Sequence, residues 1–139
     1  MGNNASIKKI NFEDVQYMIN DPNIIIINTL PEQMQHCLIK NTINASNEAD
    51  VLNKLIAHNL GRRIILYGMN ATDDKLSVKY NQLSSLGFSN VHVYIGGIFE
   101  WVLLQDIYGD DLFPTTKKEQ DLLKFKGRMR TNTLMILDN

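Results

Sequence analysis

The chain has 139 residues, 44% hydrophobic and 21% charged, and 14 lysines and arginines against 15 aspartates and glutamates leave a formal charge of −1. That size and composition suit one domain around one hydrophobic core, and so balanced a charge gives no bulk electrostatic reason to bind nucleic acid. The single cysteine, Cys37, excludes an internal disulfide and fits a reducing, cytoplasmic setting. No apolar run approaches the roughly 20 residues of a membrane span, and the start lacks the apolar core of a secretory signal.

The first motif lies at the start. Met1-Gly2-Asn3-Asn4-Ala5-Ser6 fits the pattern for N-myristoylation, with Gly2 as the acceptor and Lys8-Lys9 following. One acyl chain binds a membrane only marginally, so a basic patch is the expected second signal. Residues 1–9 are therefore read as an N-terminal arm. Asn11 is placed to cap a first helix with Val15, Met18 and Ile19 on one face, ended by Asp21-Pro22. Ile24 to Ile27, β-branched throughout, reads as a strand buried on both faces. A second helix is expected from Ser46 or Asn47, carrying Val51, Leu52, Leu55 and Ile56 and stopping at Gly61.

Arg63 to Tyr67 is the next strand. Leu76, Tyr80 and Leu83 mark a third helix closed near Gly87, and Val91 to Ile95 a further strand. Gly96-Gly97 then leads into a short helix through Trp101 to Gln105. Strands alternating with helices predict an α/β domain over residues 10–114, with a central, mainly parallel sheet flanked by helices on both faces. Residues 115–139 read as a basic C-terminal tail. Lys117, Lys118, Lys124, Lys126, Arg128 and Arg130 are six of the 14 basic residues, at spacings that suggest a solvated helix, and a short apolar run, Leu134 to Leu137, follows.

Three segments carry a family resemblance. Ile24-Ile25-Ile26-Ile27-Asn28-Thr29-Leu30 is one, Leu38-Ile39-Lys40-Asn41-Thr42-Ile43-Asn44-Ala45 the second, and Leu86-Gly87-Phe88-Ser89-Asn90-Val91-His92-Val93-Tyr94-Ile95-Gly96-Gly97-Ile98-Phe99-Glu100-Trp101 the third and most specific. Together they resemble the rhodanese (sulfurtransferase homology) domain across roughly Ile10 to Pro114. The resemblance implies a catalytic cysteine directly after the strand ending at Tyr67. It would lie in a loop whose inward N–H groups, with a helix N-terminus, stabilise a thiolate, a persulfide or an incoming anion.

This sequence departs from that pattern where the chemistry would be. The cysteine position is Gly68, and the degenerate loop Gly68-Met69-Asn70-Ala71-Thr72-Asp73-Asp74-Lys75 holds no nucleophile at its base and is longer than the family's short form. Asn28 and Leu30 stand where the family has aspartate and arginine, and Leu38 where it has histidine. Asp73 and Asp74 are expected to put negative charge at the mouth. A plainer reading of the same loop makes it a solvated turn in which Thr72 or Asp73 caps the next helix. Cys37 falls away from the loop and reads as a buried core thiol. His36, His58 and His92 lack partners at metal-ligand spacing.

No catalytic residue, metal or cofactor is therefore expected. The preferred function is a non-catalytic protein-binding or scaffold module with an unknown protein partner, tethered to a membrane surface through Gly2 and without nucleic acid. The rival is an active sulfurtransferase, or a related phosphatase-like enzyme, with an atypical site.

Overall fold

In the computed structural model, which describes residues 7–129 and 131, three apolar runs form the middle of a sheet. Ile25–Asn28 (β2), Ile64–Tyr67 (β3) and Val91–Tyr94 (β4) lie side by side. A short strand, Lys8–Ile10 (β1), completes the order β1-β4-β3-β2, parallel throughout. Successive side chains of a strand point to opposite faces, and here both faces are covered. Ile65 and Tyr67 join one buried cluster with Val15, Ile26, Tyr94 and Trp101, whereas Ile64 and Leu66 join another with Leu52, Leu55, Leu76 and Leu83. The helices Phe12–Met18 (α1) and Gly97–Tyr108 (α4) supply the first cluster; Ala45–His58 (α2) and Lys75–Ser85 (α3) supply the second. This is the α/β architecture, a parallel sheet with helices on both faces, that the sequence implies.

The helix ends follow local side chains. Asn11 Oδ1 accepts from the N–H groups of Glu13 and Asp14 while Asp14 returns a bond to the Asn11 N–H, a capping box. α2 begins at Ala45 rather than at Ser46 or Asn47, because the Asn44 side chain accepts from Ser46 N–H. It also ends at His58, before Gly61 is reached. Gly87, with φ 102°, closes α3 as expected.

Two segments differ from their sequence reading. Lys8-Lys9, assigned to the arm, lie in the edge strand β1, where exposed lysines discourage pairing with another chain. Over residues 115–129 the basic segment is not a solvated helix. Thr115 bridges to Ile39, Thr116 N–H donates to Leu38 O at 2.8 Å, and between residues 115 and 129 only Leu122–Phe125 is helical, as a 3-10 turn. Phe125 is fully buried in the Trp101 cluster, so the segment runs back across the domain as a strap. His36 Nε2 meets Glu119 Oε2 at 2.6 Å and holds the strap at a second point. Burying a phenylalanine is worth about 1.5–3 kcal/mol, against about 0.2–0.5 kcal/mol for a lysine–aspartate pair on a helix. One aromatic outweighs the helical charge spacing. Gly2, Arg130 and Leu134 to Leu137 lie outside the described residues.

Phe125→Ala is expected to lower the unfolding free energy, measured in urea, by about 3–5 kcal/mol. A change within about 0.5 kcal/mol, as at a solvated surface position, would mean that the strap is not docked.

Candidate functional site

The chain leaves β3 at Tyr67 and turns through the 68–74 loop into α3. At the base of the loop Gly68 is buried, and the space above it is filled. Asp73 Oδ2 accepts from Met69 N–H at 2.9 Å and from the Thr29 hydroxyl at 2.9 Å, while its Oδ1 accepts from Lys75 N–H at 3.0 Å. A Cβ built at position 68 would lie 2.4 Å from Asp73 Oδ2 and 2.9 Å from Thr29 Oγ1. The carboxylate therefore occupies the volume that any side chain at this position, a thiol included, would need. Each hydrogen bond to a charged acceptor is worth about 1.5–3 kcal/mol, so the arrangement is self-reinforcing.

Neither Thr72 nor Asp73 is the N-cap of α3, because the helix starts one residue later than expected; Asp73, just before that position, accepts from the N–H of Lys75, the first helical residue, while serving the loop. Thr72 instead turns back, its N–H and hydroxyl both donating to Asn70 Oδ1. Asp74 is the residue before the helix and makes no side-chain capping bond.

The opposite side of the loop is held by the Gly96-Gly97 turn. Gly97 has φ 69°, and a Cβ there would approach Gly68 O to 2.5 Å, so both the backbone conformation and the close approach require glycine. This proximity lets Ile98 N–H donate to Gly68 O at 3.0 Å and Phe99 N–H to Met69 O at 2.9 Å. The first N–H groups of α4 are thus committed to loop carbonyls.

The three support positions are rebuilt without charge. Asn28 is buried and exchanges hydrogen bonds with Gln35, and its Oδ1 also accepts from Leu30 N–H at 2.9 Å. Gln35 goes on to donate to Leu30 O and to accept from Ala45 N–H. Sequence reading did not single out Gln35, and its neighbours in the chain give no signal for this role. Leu30 and Leu38 are buried in the apolar cluster.

Cys37 is fully buried in that same cluster. Burial first, and the Glu119 carboxylate second, push its thiol up to about 11, so at neutral pH it is protonated and a poor nucleophile. His36 is engaged by Glu119, and His92 lies 3.0 Å from Asn90 Oδ1. Among the described residues no three His, Cys, Asp or Glu side chains gather as a metal site.

Outside the loop lies an open groove of about 680 Å³. The loop forms one wall, through Met69, Asp74 and Lys75, and the strap forms the other, through Lys126, Arg128 and Met129. Asn70 joins the walls, donating to Phe125 O at 2.9 Å. A smaller cleft on the far side of the loop, lined by Ala71 with Ile7, Leu76 and Val93, has a volume of about 440 Å³. Asp73 and Asp74 both line the groove, where the sequence places them, but they do not set its charge alone. Asp73 turns its carboxylate into the loop, and Lys75, Lys126 and Arg128 place three cations around the groove. The strap's contribution could not be counted from the loop sequence alone.

A family model for the rhodanese-like domain matches residues 11–104. Among solved structures, the BH2092 protein of Bacillus halodurans is 17% identical, with 91% of this chain and 89% of that chain covered and a TM-score of 0.62. The Alr3790 protein of Anabaena is 20% identical over 94% of this chain and 92% of its own, with a TM-score of 0.58. The Saccharomyces cerevisiae single-domain sulfurtransferase RDL2 is 18% identical over 80% and 98%, with a TM-score of 0.57. At such identities the likeness is one of fold. No curated protein matches the sequence.

Proposed function

The chain belongs to the rhodanese-like domain family, and within it we propose that this protein is a non-catalytic member that serves as a protein-binding or scaffold module. One observation carries this reading: the Asp73 carboxylate stands where the side chain of a nucleophile at position 68 would stand, on N–H and hydroxyl donors that would otherwise be offered to an anion. Sulfur transfer needs a thiolate that accepts sulfur and releases it, in surroundings that favour negative charge. Here the position has no side chain, and a fixed negative charge already sits above it. The fold shared with a yeast sulfurtransferase brings no nucleophile with it, because the chain's single cysteine is buried, protonated and absent from the residues lining the groove.

The test is sulfur transfer from thiosulfate to cyanide by the wild type and by Cys37→Ser. Both are expected to match the uncatalysed rate; turnover by the wild type that disappears in Cys37→Ser would overturn the reading.

The same reading gives the module a membrane address. A myristoyl group on Gly2 tethers the domain, and the exposed Lys8 and Lys9 of β1, with Lys117 and Lys118 of the strap, supply the basic second signal. No described helix is long and apolar enough to cross a membrane. Intact-mass spectrometry of the chain made together with an N-myristoyltransferase is expected to show one myristoyl group on Gly2. An unmodified chain would remove the tether and leave the binding role to stand alone.

A further inference from the structure

We infer that the groove between the 68–75 loop and the strap binds an acidic, partly apolar peptide segment of a partner protein. The inference rests on the domain being a binding module and names the chemistry of what it binds. The strap wall lies beyond residues 11–104, the part matched by the family model, and the loop wall lies within it.

Three features fit an extended acidic chain. The cations Lys75, Lys126 and Arg128 come from both walls and are exposed, so carboxylates spaced along one segment can meet them in turn. They outnumber Asp73 and Asp74 in a molecule whose net charge is −1, and the charge of Asp73 is already engaged inside the loop. This local excess gives an acidic partner both attraction and orientation. Between the cations, Met69, Met129 and Pro31 add apolar surface, and methionine adapts to irregular apolar partners.

A single inorganic anion fits less well. The Met69 N–H is held by Asp73 and the Thr72 N–H by Asn70, so these two donors of the loop no longer form an anion cradle. The walls are also preset. Phe125 is locked in the core, and Asn70 bonds its carbonyl, which fixes the strap against the loop before a ligand arrives and reduces the ordering cost of binding.

The experiment is fluorescence anisotropy on the full chain with a labelled peptide, Glu-Glu-Leu-Glu-Glu-Leu-Glu-Glu, and its glutamine-for-glutamate counterpart. The acidic peptide is expected to bind saturably, with the glutamine peptide at least about tenfold weaker. Binding is also expected to weaken as NaCl rises from about 50 to about 200 mM. Lys126→Glu combined with Arg128→Glu is expected to weaken binding by at least about tenfold. Lys40→Glu combined with Lys54→Glu, outside the groove, is expected to change it by no more than about twofold. Thermal melts confirm that both variants fold. Absence of saturable binding by the wild type, or equal losses in the two charge reversals, overturns the inference. So does binding to phosphatidylserine vesicles that depends on Lys126 and Arg128 while the peptide does not bind, since that would assign the groove to a membrane. Sulfur transfer in the thiosulfate assay would instead overturn the non-catalytic reading, so the two failures are distinguishable.

Discussion

A single carboxylate organises the region where the chemistry of this fold would be found. Asp73 reaches across the loop to take hydrogen bonds from Met69 N–H and the Thr29 hydroxyl on one oxygen and from Lys75 N–H on the other. It closes the loop, holds the first N–H of α3 and fills the space above Gly68 at once. These roles depend on one another. With any larger residue at position 68 the carboxylate would have to move, and with the carboxylate removed two backbone N–H groups and a hydroxyl would lose their acceptor. A buried donor left unsatisfied costs about 1–3 kcal/mol, and the Met69 and Thr29 donors are part-buried, so glycine at 68 and aspartate at 73 form one structural unit.

The surrounding elements hold that unit from both sides. Gly97 brings the start of α4 against the loop, and the α4 N–H groups take the carbonyls of Gly68 and Met69. Asn70 ties the outer part of the loop to the carbonyl of Phe125, whose ring is in the core. The Asn28–Gln35 amide pair then satisfies the polar groups around the end of β2 without a charge. The outcome is a site whose polar groups answer one another, facing a groove that the strap has made basic. Reciprocal bonding of this kind holds a loop in shape, while thiolate chemistry needs donors left open for a negative charge.

Much of the fold was legible in the sequence. The runs at Ile24, Ile64 and Val91 read as strands because β-branched and apolar residues on both faces suit the interior of a parallel sheet. Leu86 to Trp101 carried the family because its glycines are fixed by backbone geometry at Gly87 and Gly97. What stayed hidden depended on contacts distant in the chain. Thr72-Asp73-Asp74 before a helix looks the same whether the aspartate faces water or reaches Met69 N–H. Lys8–Ile10 is too short and too basic to read as a strand, yet an edge position accepts it. Phe125 is one aromatic among lysines, and charge spacing gave no sign that it anchors the segment. The glycine at 68 was visible; its Asp73 partner in that space was not.

The pairing of Gly68 with Asp73 is tested most directly by a double-mutant cycle in urea, with Gly68→Ala, Asp73→Ala and both together. Gly68→Ala alone is expected to cost about 1–3 kcal/mol, as overpacking does. In the Asp73→Ala background the new methyl enters vacated space, so the double variant should be more stable than the sum of the single effects by at least about 1 kcal/mol, within the range seen for residues in contact. Additive losses, with Gly68→Ala costing the same in both backgrounds, would show that the carboxylate does not occupy the nucleophile's place.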